Sequence, residues 1–132
     1  MMNSKKVSLF ITVSTIIFSA LTSCSSRLVG TWNVAKYETI TPGKQNILLN
    51  NIGTITFNGN NSGEKNLNFQ IMGIERKDQL KFDWTATEKY VTIKNGGEEF
   101  SKIWIILENK KNFQKWRSTD GTNQIQVIEL NK

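Results

Sequence analysis

A single thiol, eleven carboxylates and no imidazole make up the reactive inventory of this chain. The thiol is Cys24. Without histidine, the usual general base at neutral pH and the commonest transition-metal ligand are both missing. Neither a Ser-His nor a Cys-His nucleophile can be assembled, and zinc sites of the Cys/His type are excluded. The sequence contains no Walker loop and no Gly-rich dinucleotide fingerprint. What remains for catalysis is a pair of carboxylates. Asp78, Asp83, Glu88, Glu98, Glu99, Glu108 and Asp120 mostly sit beside turns or alternate with apolar residues, as solvent-facing positions do. We therefore expect no enzyme, no cofactor and no metal site.

Cys24 has a more specific context. The chain opens Met1-Met2-Asn3-Ser4-Lys5-Lys6, a short basic segment, and runs uncharged from Val7 to Leu21. A signal-peptide core needs roughly 7–15 apolar residues, whereas a membrane span needs about 20. Leu21-Thr22-Ser23-Cys24 follows. It resembles the bacterial lipobox, in which cleavage precedes a cysteine that carries lipid. The alternative is an uncleaved anchor helix with an incidental cysteine. Acylation also accounts for a lone thiol in a secreted chain. The resemblance implies a diacylglyceryl group and often a further acyl chain. Each buried methylene contributes about 0.8 kcal/mol and one chain alone holds only marginally, so several chains give firm attachment. Ser25 and Ser26 follow. Neither an Asp, as in enteric inner-membrane retention, nor an acidic run, as in surface export, is present there. The expected address is the periplasmic face of the outer membrane.

Residues 1–23 then form the signal peptide, 24–27 the lipidated N-terminus with a short linker, and 28–132 one domain. The whole chain carries a net charge of +6, and Lys5 and Lys6 are the only charges before Cys24. The nearest approach to a basic cluster is Lys110, Lys111, Lys115 and Arg117. It is either ordinary solvated surface or a patch drawn to anionic headgroups beside the anchor. We expect a monomer with no nucleic-acid partner.

The elements that must position any site are strands. Apolar and polar residues alternate in short runs broken by Gly and Asn. Candidate strands are 28–40, 53–57, 67–71, 80–85, 90–94, 100–108, 113–118 and 124–130. Residues 46–51 stay unassigned, because Ile47-Leu48-Leu49 is too short to read as helix or strand. Asn58 to Gly63, rich in residues that tolerate positive φ, reads as a turn. About eight strands at roughly ten-residue spacing suggest an up-and-down antiparallel sheet. Closing it into a barrel removes both edges, and the last strand should pair with the first.

Leu28-Val29-Gly30-Thr31-Trp32 opens the first strand. It resembles the Gly-x-Trp motif of lipocalins and the wider calycin group. Taken with Ile55-Thr56-Phe57-Asn58-Gly59 and Phe82-Asp83-Trp84, residues 27–132 are similar to the small lipocalin-like lipoproteins of Bacteroidetes. The resemblance implies an all-β, up-and-down barrel in which Trp32 plugs the closed end under a basic side chain from a late strand. Arg117 is the candidate for that cation and Lys115 the alternative. Gly30 is expected to allow close approach at the barrel floor.

Inward-facing candidates are Phe57, Leu67, Phe69, Ile71, Leu80, Phe82, Trp84, Ile103, Ile105 and Trp116. Barrels of this size hold one small ligand or are filled by their own side chains. Phe57, Phe69, Phe82, Trp84 and Trp116 are the candidates for lining an apolar ligand pocket. The segment around Asn46–Asn51 is either a flap over an open end or a connector. The expected function is binding of a small hydrophobic molecule in the envelope. The alternative is an interaction protein with a filled barrel and no small ligand.

Overall fold

The computed structural model describes residues 27–118 and 123–132. Ten strands form one antiparallel sheet: β1 (Gly30–Ile40), β2 (Ile47–Asn50), β3 (Gly53–Phe57), β4 (Ser62–Ile71), β5 (Ile74–Asp78), β6 (Lys81–Ala86), β7 (Tyr90–Lys94), β8 (Ile103–Lys110), β9 (Phe113–Ser118) and β10 (Ile125–Asn131). Eight of them close a barrel in the order β1-β3-β4-β6-β7-β8-β9-β10, with β10 returning to β1 over Asn33–Ile40. Cys24, the expected site of lipid attachment, lies outside the described residues.

The two remaining strands are continuations of barrel strands past a break. β2 pairs the upper half of β1, with Tyr37 opposite Leu49, while β3 pairs the lower half, with Trp32 opposite Ile55. The chain bends between them at Asn51, which has φ of 53°. In the same way β5 and β6 share one edge of β4, with Leu67 opposite Asp78 and Gly63 opposite Phe82. Within the unassigned segment 46–51, Ile47–Asn50 is thus a strand. The Asn58–Gly63 turn is shorter than expected, since Ser62 and Gly63 already belong to β4.

Alternation sets the interior. Trp32 and Val34 of β1, Ile55 and Phe57 of β3, Phe82 and Trp84 of β6, Val91 and Ile93 of β7, and Ile128 and Leu130 of β10 are all buried. Three inward assignments need correction. On β8 the buried residue is Trp104, while Ile103 is 48% exposed and Ile105 is half-buried. The run Ile103-Trp104-Ile105-Ile106-Leu107 has no polar residue to reveal its phase. Leu107, at a bulge between the pairs Ile106–Trp116 and Glu108–Lys115, is exposed as well. Leu80 is exposed because it falls in the break between β5 and β6.

The lower barrel is solid. Phe57, Phe82, Phe100, Trp104 and Trp116 form a closed circuit of ring contacts, with centroids 5.3–6.4 Å apart. Trp84 joins it edge-on to Phe57 at 5.3 Å. Each such contact contributes about 0.5–1.5 kcal/mol beyond the area it buries. Every indole N–H is satisfied. Trp32 donates to the Leu28 carbonyl, Trp84 to that of Ser62, Trp104 to that of Phe100, and Trp116 to Gln114 Oε1. Burial of these rings therefore leaves no donor stranded.

Candidate functional site: the barrel mouth

The two ends of the barrel differ. At the floor, Trp32 is fully buried and the Lys132 ammonium stands 4.6 Å from its ring centroid. Lys132 also donates to the Val29 carbonyl at 3.3 Å. Gly30, at φ +132°, leaves the room this requires: a Cβ there would come within 2.9 Å of the ammonium. The cation over Trp32 is therefore Lys132, just past β10, and not Arg117 or Lys115. Arg117 points outward on β9, opposite Val127 and Ile105. Strand alternation alone decides this, since Trp116 and Ser118 on either side of Arg117 face in.

At the other end the strands splay and a cleft of about 110 Å³ opens above the aromatic layer. Tyr37 and Thr39 of β1 and Ile47 and Leu49 of β2 form one wall. Leu67, Phe69 and Ile71 of β4 form the facing wall, and Gln126 and Ile128 of β10 close the third side. Ile52, Ile55 and Phe100 make the base. The walls part because β2 and β5 are edge strands at this level, each hydrogen-bonded to a single neighbour. The hairpin of β4 and β5 turns at Met72-Gly73 and extends beyond the closed part of the barrel.

Of the aromatic candidates, only Phe69 lines this cleft. Phe57, Phe82, Trp84 and Trp116 are at most 3% exposed and are consumed in the aromatic layer beneath. Inward orientation on a strand does not reveal height along the barrel. Phe100, from the connection between β7 and β8, was not singled out, yet it forms the base of the cleft.

The cleft also holds a charge that alternation could have revealed. Lys65 lies in phase with Leu67, Phe69 and Ile71, and is only 2% exposed. Its ammonium donates to Asp78 Oδ2 at 2.6 Å and stands 5.1 Å from the Phe100 centroid. Asp78 and Phe100 both line the cleft, so the ammonium sits in its wall. Opposite, the buried Gln126 is held by its backbone N–H donating to Ser118 Oγ and by its side-chain oxygen accepting from Lys102. Glu99 lies exposed at the rim. The arrangement can desolvate an apolar group and present a hydrogen-bonding cation to one end of it.

No protein-family model matches the chain, and no curated protein matches it in sequence. What it shares with calycins is the fold itself: a closed, eight-stranded antiparallel barrel with one plugged end.

Proposed function

We propose that this protein is a lipid-anchored barrel of the cell envelope that takes up a small, largely apolar molecule through its mouth. The observation that carries this reading is the cleft above the aromatic layer, walled by Leu49, Leu67, Phe69, Ile71 and Ile128. A concave, mostly apolar site with a few polar groups at fixed positions is the usual form of a small-molecule pocket. Its size favours a single short chain or one ring over a bulky ligand. No catalytic step and no cofactor enter this account.

Anchoring rests on the Leu21-Thr22-Ser23-Cys24 motif. Arg27 donates to the Asn109 carbonyl and Leu28 touches Trp32, so the described chain begins at the floor. A lipid on Cys24 would hold the floor toward the membrane, and the mouth would face away from it. The proposed address is the periplasmic face of the outer membrane, with the barrel as a monomer.

A second reading is favoured by the rim. Met72 is 96% exposed, Ile74 60% and Leu48 50%, and Ile47 and Ile125 are exposed as well. Such residues suit an envelope partner that covers the mouth without any small ligand. Native mass spectrometry of protein purified from its producing cells separates the two. A co-purifying small molecule lost on mutation of cleft residues supports uptake. A bare chain, found repeatedly, supports the partner reading.

A further inference from the structure

We infer that the cleft selects a molecule ending in a carboxylate, which replaces Asp78 as the partner of Lys65. This deepens the reading of the cleft as a small-molecule site and rests on it.

The ammonium of Lys65 has three donors. Only one has an acceptor among the described residues, Asp78 Oδ2. Removing an ammonium from water is costly, and a buried ion pair seldom stabilises a fold more than apolar residues of the same volume. Lys65 is therefore poorly explained as a packing residue. Leu67, Ile55 and the Phe100 ring line the same space, with Gln126 and Glu99 as further polar members of its lining.

The two members of the pair are unequally held. The Lys65 side chain is 3% exposed, whereas that of Asp78 is 33% exposed. Lys65 lies in the closed part of β4, where Ile55 of β3 is its register partner. Asp78 ends β5, an edge strand whose only ladder is with β4. Asp78 can turn to water when a second carboxylate arrives, while Lys65 must stay. The incoming carboxylate meets an ammonium already desolvated and already placed for a carboxylate oxygen at 2.6 Å. Its apolar remainder extends along Leu67 and Phe69 toward the rim. Glu99 carries the other negative charge of the cleft, but it is exposed at the rim and screened by solvent.

Octanoate and octan-1-ol share a tail and differ in charge, so they separate the head from the cleft. Calorimetric titration of the full chain, held in amphipol, should show octanoate binding about tenfold tighter than octan-1-ol, as one charge-assisted hydrogen bond allows. Lys65→Met should erase that preference and keep octan-1-ol binding. Asp78→Asn should strengthen octanoate binding, because the competing carboxylate is gone. Near-ultraviolet circular dichroism of the tryptophans checks that each variant is folded. Equal binding of the two compounds, or a preference unchanged in Lys65→Met, overturns the carboxylate inference and leaves uptake of apolar molecules standing. Failure of both compounds to bind overturns uptake itself, and the inference with it.

Discussion

The Lys132 ammonium lies over the face of the Trp32 ring, 4.6 Å from its centroid, and so joins the residue after the last strand to the third residue of the first. This contact seals the seam between β1 and β10 at the floor. Trp32 is fully buried there, and its N–H caps the Leu28 carbonyl. Replacing Lys132 with Ala should cost about 0.5–1 kcal/mol, the range for a stack open to solvent. Replacing Trp32 with Ala should cost about 3–5 kcal/mol, as for a large ring removed from a packed core. Denaturant unfolding followed by tryptophan fluorescence measures both, and equal costs would show that the cation, not the ring, holds the floor.

Gly53 gives a sharper structural prediction. Its φ is +138°, and a Cβ built there would stand 2.1 Å from the Asn66 carbonyl oxygen on β4. Gly53→Ala should therefore destabilise by at least about 2–3 kcal/mol, strain at positive φ adding to a backbone clash. A thermal melt within a degree or two of the parent would contradict the close approach of β3 and β4 at the level where the barrel begins to open.

The Lys65–Asp78 pair predicts an asymmetry in stability. Lys65→Met removes a desolvated charge and substitutes an apolar chain of similar length, so stability should stay within about 1 kcal/mol of the parent. Asp78→Ala leaves the buried ammonium without its carboxylate and should cost about 1–3 kcal/mol. The reverse order, with Lys65→Met the more damaging, would mean that the pair serves the fold.

How far the sequence could reach differs along the chain. Strict alternation marks β3, β7 and β9 at their observed limits, because each has one face in the core and one in water. It fails at β5, where Ile74-Glu75-Arg76-Lys77 is exposed on both faces and has no period to read. On β8 it fails for the opposite reason, since five apolar residues in a row conceal which of them turn inward. The floor motif was legible at Gly30 and Trp32, but its cation was not. Lys132 meets Trp32 only through closure of the barrel, and no short-range pattern connects positions 100 residues apart. The cleft was hidden in the same way, because orientation on a strand tells inside from outside and says nothing of floor or mouth. Lys65 was visible in principle, as a charge in register with Leu67 and Phe69.

Anchoring can be examined separately from the barrel. Cys24→Ala should abolish incorporation of labelled fatty acid and release a folded domain into the soluble fraction. Continued labelling of that variant would refute Cys24 as the attachment point.

Filling the cleft should block uptake without harming the fold. Leu49 lines the cleft from β2, an edge strand, and is only partly buried. Leu49→Trp should weaken octan-1-ol binding by about tenfold or more, equivalent to about 1.4 kcal/mol, at unchanged melting temperature. Undiminished binding would place the molecule elsewhere.

Uptake through the mouth is tested most directly by a nuclear magnetic resonance titration of isotope-labelled full chain with octan-1-ol. Saturable shifts should concentrate on the backbone amides of Leu49, Ile52, Leu67, Phe69 and Ile128, with the floor amides of Trp32 and Leu130 unmoved. Shifts confined to exposed apolar residues such as Met72, Ile74 and Leu107, or none at all, would contradict it.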